Sequence, residues 1–205
     1  MNAEIKTGII FGGIIIAGII FLAILFIGLD ESASINQDSG IRKAPNLVGI
    51  AHYLNISSEE LTKKMDNKVI LYDIWTYSCI NCIRTLPFIT SWDKKYSDQG
   101  LLIIGIHSPE FEFEKDPQNV KIAIEKYGIT YPVVMDNNME TWKAFENNYW
   151  PRKYIADHQG NLRYDHIGEG GYQETEKIIQ QLLEERSKAM KIESASTATS
   201  LVSIE

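Results

Sequence analysis

The chain has 205 residues, room for one domain of ordinary size plus accessory segments. It carries 27 acidic against 20 basic residues, a formal charge of −7, which excludes binding to nucleic acid through a phosphate-neutralising basic surface. Hydrophobic residues make up 44% of the whole, and they crowd into the N-terminus, which belongs to a different environment from the rest.

Residues 1–6 form a short N-terminal stub that includes Lys6. From 7 to 29 no residue is charged, and Ile, Gly, Phe and Leu dominate. As a helix this run extends about 34 Å, enough to cross a hydrocarbon core of about 30 Å. It is predicted to be a transmembrane anchor. A removed signal peptide is the alternative, but its apolar region is usually shorter, and residues 28–34 offer a poor cleavage site. The α-amino group and Lys6 precede the span, whereas Asp30, Glu31 and Asp38 follow it, which places the stub in the cytoplasm and the rest outside. Arg42 and Lys43 argue weakly against this. Residues 30–43 read as a polar linker, 44–187 as a folded domain, and 188–205, rich in Ser, Ala and Thr, as a flexible tail.

Within the domain, residues 69–75 are a β-rich apolar run suited to a strand covered on both faces. A helical pattern follows, with Ile83, Leu86, Ile89, Trp92 and Tyr96 on one side. Residues 101–106 are a second buried strand. Asp116-Pro117 reads as an N-cap followed by Pro at the first helical position, Val120, Ala123, Ile124 and Tyr127 form that helix's apolar stripe, and Gly128 ends it. Residues 131–135 are a short strand and 139–145 a short helix. Residues 153–156 and 161–167 flank His158-Gln159-Gly160 as a hairpin, and a last helix carries Ile178, Ile179, Leu182 and Leu183. The order βαβαβαββα predicts an α/β domain with parallel pairing through crossover helices, finished by an antiparallel hairpin.

The two cysteines form Cys79-Ile80-Asn81-Cys82, between a buried strand and a helix. A disulfide closing so short a loop restricts the unfolded chain far less than one linking distant segments, so a structural staple is a poor reading. At a helix N-terminus the free N–H groups and the dipole stabilise a thiolate at Cys79. Cys82, one turn along, can resolve a mixed disulfide formed there, and Ser78 is a candidate cap. No second cysteine pair completes a zinc site, and Ile83 stands where haem attachment requires His. The chemistry calls for no metal and no cofactor. Asp73 sits inside the first apolar strand, where burial raises its pKa and suits it to accept and return the proton of Cys82. A structural Asp with backbone or Lys partners is the alternative. Asn55-Ile56-Ser57 is a permissible glycosylation acceptor.

Asp73, Trp75, Cys79, Cys82 and Pro87 stand at the spacing of the thioredoxin superfamily's active-site segment, which this stretch resembles. Residues 75–82, 105–111, 149–151 and 168–172 resemble, more closely, the thioredoxin-like domain of DipZ-type proteins, relatives of the membrane-tethered TlpA and ResA thioredoxins. The resemblance runs from about residue 44 to 183. It implies a thioredoxin-like fold, a central mixed sheet flanked by helices, behind one N-terminal transmembrane helix. It implies a thiol–disulfide oxidoreductase that cycles a Cys79–Cys82 disulfide against cysteine-containing protein substrates. Pro151 matches the family's cis-proline; Trp75, Tyr77 and Trp150 are then expected as an aromatic rim for the substrate, and Glu110 as a possible proton shuttle. DipZ-type proteins also carry a multi-span electron-transfer domain that this sequence lacks, so a separate membrane electron donor or acceptor is expected. Ile80-Asn81 differs from the Gly-Pro of reducing thioredoxins, and the direction of electron flow stays open. Two rivals remain. A peroxiredoxin-like thiol peroxidase fits Thr76 and Arg152 loosely but lacks the family's Pro, which would fall at Tyr72. A Cu(I) metallochaperone would use the two thiolates and His107, but the spacing is CxxC and no Met cluster accompanies it.

Overall fold

The computed structural model describes residues 42–202. The anchor expected over residues 7–29, with its stub and most of the linker, lies outside the described residues. Among the described residues no helix is long and apolar enough to cross a membrane.

Six strands form one mixed sheet in the order β1-β4-β3-β2-β5-β6. At its centre, β2 (Val69–Trp75) and β3 (Leu101–His107) run parallel, and every residue of both is buried, as expected of apolar runs covered on two faces. β4 (Val133–Met135) continues the parallel set, while β5 (Arg152–Ala156) lies antiparallel on the other side of β2, followed by β6 (Leu162–Ile167). The strand expected from residue 131 starts two residues later, because Pro132 has no N–H for the ladder; its carbonyl accepts from Gly105 N at 2.9 Å instead.

Two elements precede those expected. β1 (His52–Leu54) pairs antiparallel with β4, and α1 (Ser58–Met65) begins with a capping box between Ser57 and Glu60. The Asn55-Ile56-Ser57 acceptor is engaged locally. Asn55 Nδ2 donates to Ile129 O and Tyr131 O at 3.2 and 3.1 Å, and Ser57 Oγ caps α1.

α2 (Ile80–Tyr96) buries Leu86, Ile89, Trp92 and Tyr96, while Ile83 is only half-buried. Pro87 within it removes one rung of the helical hydrogen-bond ladder. α3 (Pro117–Tyr127) is capped by Asp116, whose side chain accepts from Gln118 N, and ends at Gly128 in the left-handed region, φ 63°. Short α4 (Glu140–Ala144) is held by Asp136, which accepts from Thr141 N and Trp142 N at 3.1 and 2.7 Å. α5 (Tyr172–Val202) buries Ile178, Ile179, Leu182 and Leu183. It runs on through residues 188–202, where a flexible tail was expected. No Gly or Pro occurs after residue 171 to stop it.

The period-two alternation of the strands sorts the core onto two faces. Ile70, Tyr72, Ile74, Leu102, Ile104 and Ile106 pack with Leu61, Trp142 and Phe145 on one side. Asp73 and Trp75 point to the other, where α2 packs against β3 and α5 against β2.

Candidate active site

The parallel strands end together. Ser108 N donates to Trp75 O at 3.0 Å, and the chain then turns through Thr76-Tyr77-Ser78, with Cys79 N donating to Thr76 O at 3.3 Å. Cys79 is the N-cap of α2, and its Sγ accepts from Cys82 N at 3.4 Å. Both cysteines are free thiols; Cys79 is half-buried and Cys82 wholly enclosed. The Cys79 thiol is lowered to about 6, chiefly by a hydrogen bond from the Cys82 thiol, with the backbone N–H groups of Cys82 and Asn81 adding to it and burial opposing. Cys82 is pushed up, first by burial and then by the hydrogen bond it gives to Cys79. The turn therefore favours a thiolate at Cys79 and keeps Cys82 a thiol. Alkylation of the reduced protein is expected to modify Cys79 alone, with a rate that rises through a half-point near pH 6. A half-point near that of free cysteine, or modification of Cys82, would show that the turn does not activate the sulfur.

Asp73 lies beneath, fully buried, and neither carboxylate oxygen has a hydrogen-bond partner. Burial raises it to about 6, and the Lys153 ammonium opposes that rise. Lys153 is Asp73's neighbour across the β2/β5 ladder, also fully buried, and its Nζ donates to Gly168 O at 3.3 Å. Burial lowers Lys153, while Asp73 and Cys82 pull it back up. On Asp73's other flank stands Gly105; a Cβ there would lie 3.1 Å from Trp75 Nε1 and 3.3 Å from the Tyr131 ring. Trp75 Nε1 and Tyr131 OH are themselves unpartnered. The carboxyl thus sits among buried donors, and its charge adds to the rise of the Cys82 thiol. The structural alternative for Asp73 found its Lys, but not a hydrogen bond.

Of the expected aromatic rim, Trp75 is not part: it is completely buried and packs edge-on against His107 at 5.4 Å. Alternation along β2 puts it on the inner face with Asp73. Tyr77 is half-buried, stacked on His107 at 5.6 Å, with its hydroxyl donating to Phe113 O at 3.2 Å. Trp150 is half-buried against Trp142, 4.1 Å between centroids, and its Nε1 donates to Ser108 O at 2.9 Å. The Trp150–Pro151 bond is cis. Glu110 is exposed, whereas Glu114, four residues on in the same loop, is buried. Ser78 does not cap α2; its Oγ donates to Glu114 Oε1 at 2.5 Å. His107 is buried, and burial lowers it to about 4, so its ring is neutral. Its Nε2 accepts from Tyr77 N at 3.4 Å and faces the Thr76 hydroxyl at 3.3 Å. Arg152, needed by the peroxidase alternative, is committed to Asp165 at 2.5 Å.

A family model described as Redoxin matches residues 42–183. Protein DipZ of Mycobacterium tuberculosis is 42% identical over 158 residues, 76% of this chain, which spans only 23% of that protein's length. Thiol-disulfide oxidoreductase YkuV of Bacillus subtilis is 32% identical over 143 residues, 69% of this chain and 94% of its own. A thioredoxin-like protein solved in solution in its oxidised form superposes with a TM-score of 0.62 at 31% identity, covering 70% of this chain and 96% of that one. The chain belongs to the Redoxin family, with a thioredoxin-like fold and the paired cysteines of a thiol–disulfide oxidoreductase.

Proposed function

We propose that the protein is a membrane-anchored thiol–disulfide oxidoreductase that works outside the cytoplasm on cysteine-containing protein substrates. The observation that carries this reading is the asymmetry of the dithiol: an acidified, half-exposed Cys79 beside an enclosed Cys82 over an unpartnered buried carboxyl. The uncharged run of residues 7–29 and the charges flanking it support the anchor and its orientation.

The thiolate of Cys79 attacks one sulfur of a partner's disulfide, forming a mixed disulfide and expelling the other sulfur as a thiolate, which takes up a proton. Asp73 takes the proton of Cys82, and the resulting thiolate attacks the Cys79 sulfur, breaking the mixed disulfide and expelling the partner's second sulfur as a thiolate, which takes up a proton. The products are the Cys79–Cys82 disulfide and a partner with two thiols: two electrons have passed to the partner. A membrane electron donor then restores the dithiol. Run in reverse against a reduced partner, the same steps deliver oxidising equivalents to an acceptor.

The test uses the full chain. Purified in detergent and reduced, it should reduce the disulfides of insulin with turnover under a supply of dithiothreitol. In intact cells a membrane-impermeant maleimide should label Cys79. No insulin reduction by a folded, reduced protein sinks the activity; labelling only after the membrane is permeabilised sinks the location.

A further inference from the structure

Glu114 belongs to the single-turn 3-10 helix Glu112–Lys115, on the loop that follows β3. Its side chain is wholly buried, yet among the described residues it makes no ion pair. A buried carboxylate without a cation is costly unless donors satisfy it. Here they do, and from two separate pieces of chain. Oε1 accepts from Ser78 Oγ at 2.5 Å, in the turn that presents Cys79. Oε2 accepts from Glu110 N at 2.6 Å and from Phe111 N at 2.9 Å, in its own loop. Burial works to raise the carboxyl, and the hydrogen bonds from Ser78, Thr76, Phe111 and Glu110 outweigh it and hold it below the ordinary value.

The loop so tied carries two large aromatics in the open. Phe111 and Phe113 are 47% and 53% exposed, with rings stacked at 5.4 Å and 6°. Phe113 meets the Tyr77 edge at 6.3 Å, and Tyr77 lies on His107. An aromatic ladder therefore leads from the interior to the surface beside Cys79, and its outer rungs expose apolar area that a free surface does not favour.

We propose that Glu114 is a positioning residue: its carboxylate locks the Cys79 turn and the Phe111–Phe113 pair into one unit, so that an apolar side chain flanking a partner's cysteine lands on the pair in register with the sulfur. This rests on the oxidoreductase reading above and names the substrate feature that it selects, an apolar residue near the partner's cysteine.

The test compares Glu114→Ala, Glu114→Gln, Ser78→Ala, the double Phe111→Ala/Phe113→Ala variant and, as control, Glu112→Gln, all in the full chain, folded by near-ultraviolet circular dichroism. Two quantities are read: KM and kcat for insulin disulfide, and the pH of half-maximal Cys79 alkylation. Losing a multiply bonded charged acceptor is expected to raise KM about tenfold in Glu114→Ala. The alkylation half-point should move upward in Glu114→Ala and in Ser78→Ala, because the sulfur spends less time against the N–H groups of α2. Were Glu114 acting only as a nearby negative charge, its removal would move that half-point down. Glu114→Gln, which keeps the shape and can still accept from both loop amides while offering its NH2 to Ser78, should recover most of both quantities. The phenylalanine pair should affect KM alone, and Glu112→Gln neither. Ser78→Ala removes one hydrogen bond and keeps the question open to experiment if Glu114→Ala does not fold. Wild-type KM and half-point in a folded Glu114→Ala or in Ser78→Ala, or a Gln variant as impaired as Ala, overturns the proposal. A wild-type chain that reduces no insulin sinks the oxidoreductase reading instead, and the half-points still decide the role of Glu114.

Discussion

Cys82→Ser is expected to turn the protein into a covalent trap. The serine hydroxyl cannot attack the Cys79 sulfur at neutral pH, so a mixed disulfide formed at residue 79 has no internal escape. Non-reducing gels of cells expressing the variant should show high-molecular-weight adducts that vanish with reductant, and mass spectrometry should place every linkage on Cys79. Cys79→Ser should form none. Insulin turnover in either variant should fall at least about a thousandfold, as for the loss of a member of a catalytic unit. Adducts linked through residue 82 in the Cys79→Ser protein would reverse the assigned roles. An active wild type whose Cys82→Ser variant captures nothing would remove the mixed disulfide from the mechanism.

Asp73→Asn should change how stability follows pH. The Asp73 carboxyl rises from 3.8 to about 6 in the folded protein because burial disfavours its charge. Between those values the folded state keeps a proton that the unfolded chain has released, so the folded state binds more protons and stability falls as pH rises through the window. Each pKa unit is worth about 1.4 kcal/mol, so the stability of the Asn variant relative to wild type should grow by roughly 2 kcal/mol between pH 4 and pH 7. Using the difference removes the Cys79 contribution, which has the opposite sign and is common to both proteins. Urea melts of the reduced proteins across that range measure it. The same substitution removes the carboxyl proposed as the proton acceptor for Cys82 and should slow release of a bound partner about a hundredfold. Parallel stability curves would mean that Asp73 is ionised throughout, through Lys153. A normal release rate would mean that another base serves Cys82.

The central strands were legible because their apolar runs are longer than any local alternative explains, and the N-cap at Asp116 and the stop at Gly128 because each is local chemistry. The first strand was not. Three residues carry no periodicity, and His52–Leu54 is a strand only because β4 offers it an edge. The Ser57-x-x-Glu60 box did mark the helix after it, and reading Asn55-Ile56-Ser57 as an acceptor hid that signal. Glu110 was expected near the site, but a single 3-10 turn re-aims the chain and buries Glu114 instead, and such a turn leaves no pattern in the residues. Lys153 becomes visible only through register, since nothing local says that it lies opposite Asp73. Trp75 is the avoidable error: two residues from Asp73 on one strand, it shares that residue's inward face.

His107 lies against the dithiol turn, accepting from Tyr77 N, and it stays uncharged because it is buried. The groups that stabilise the Cys79 thiolate are a neighbouring thiol and backbone amides, all electrically neutral. Mobile counter-ions weaken attraction between separated charges far more than short contacts between dipoles and an ion. A sulfur made acidic in this way keeps its reactivity when ionic strength changes, where one leaning on an imidazolium would lose part of it.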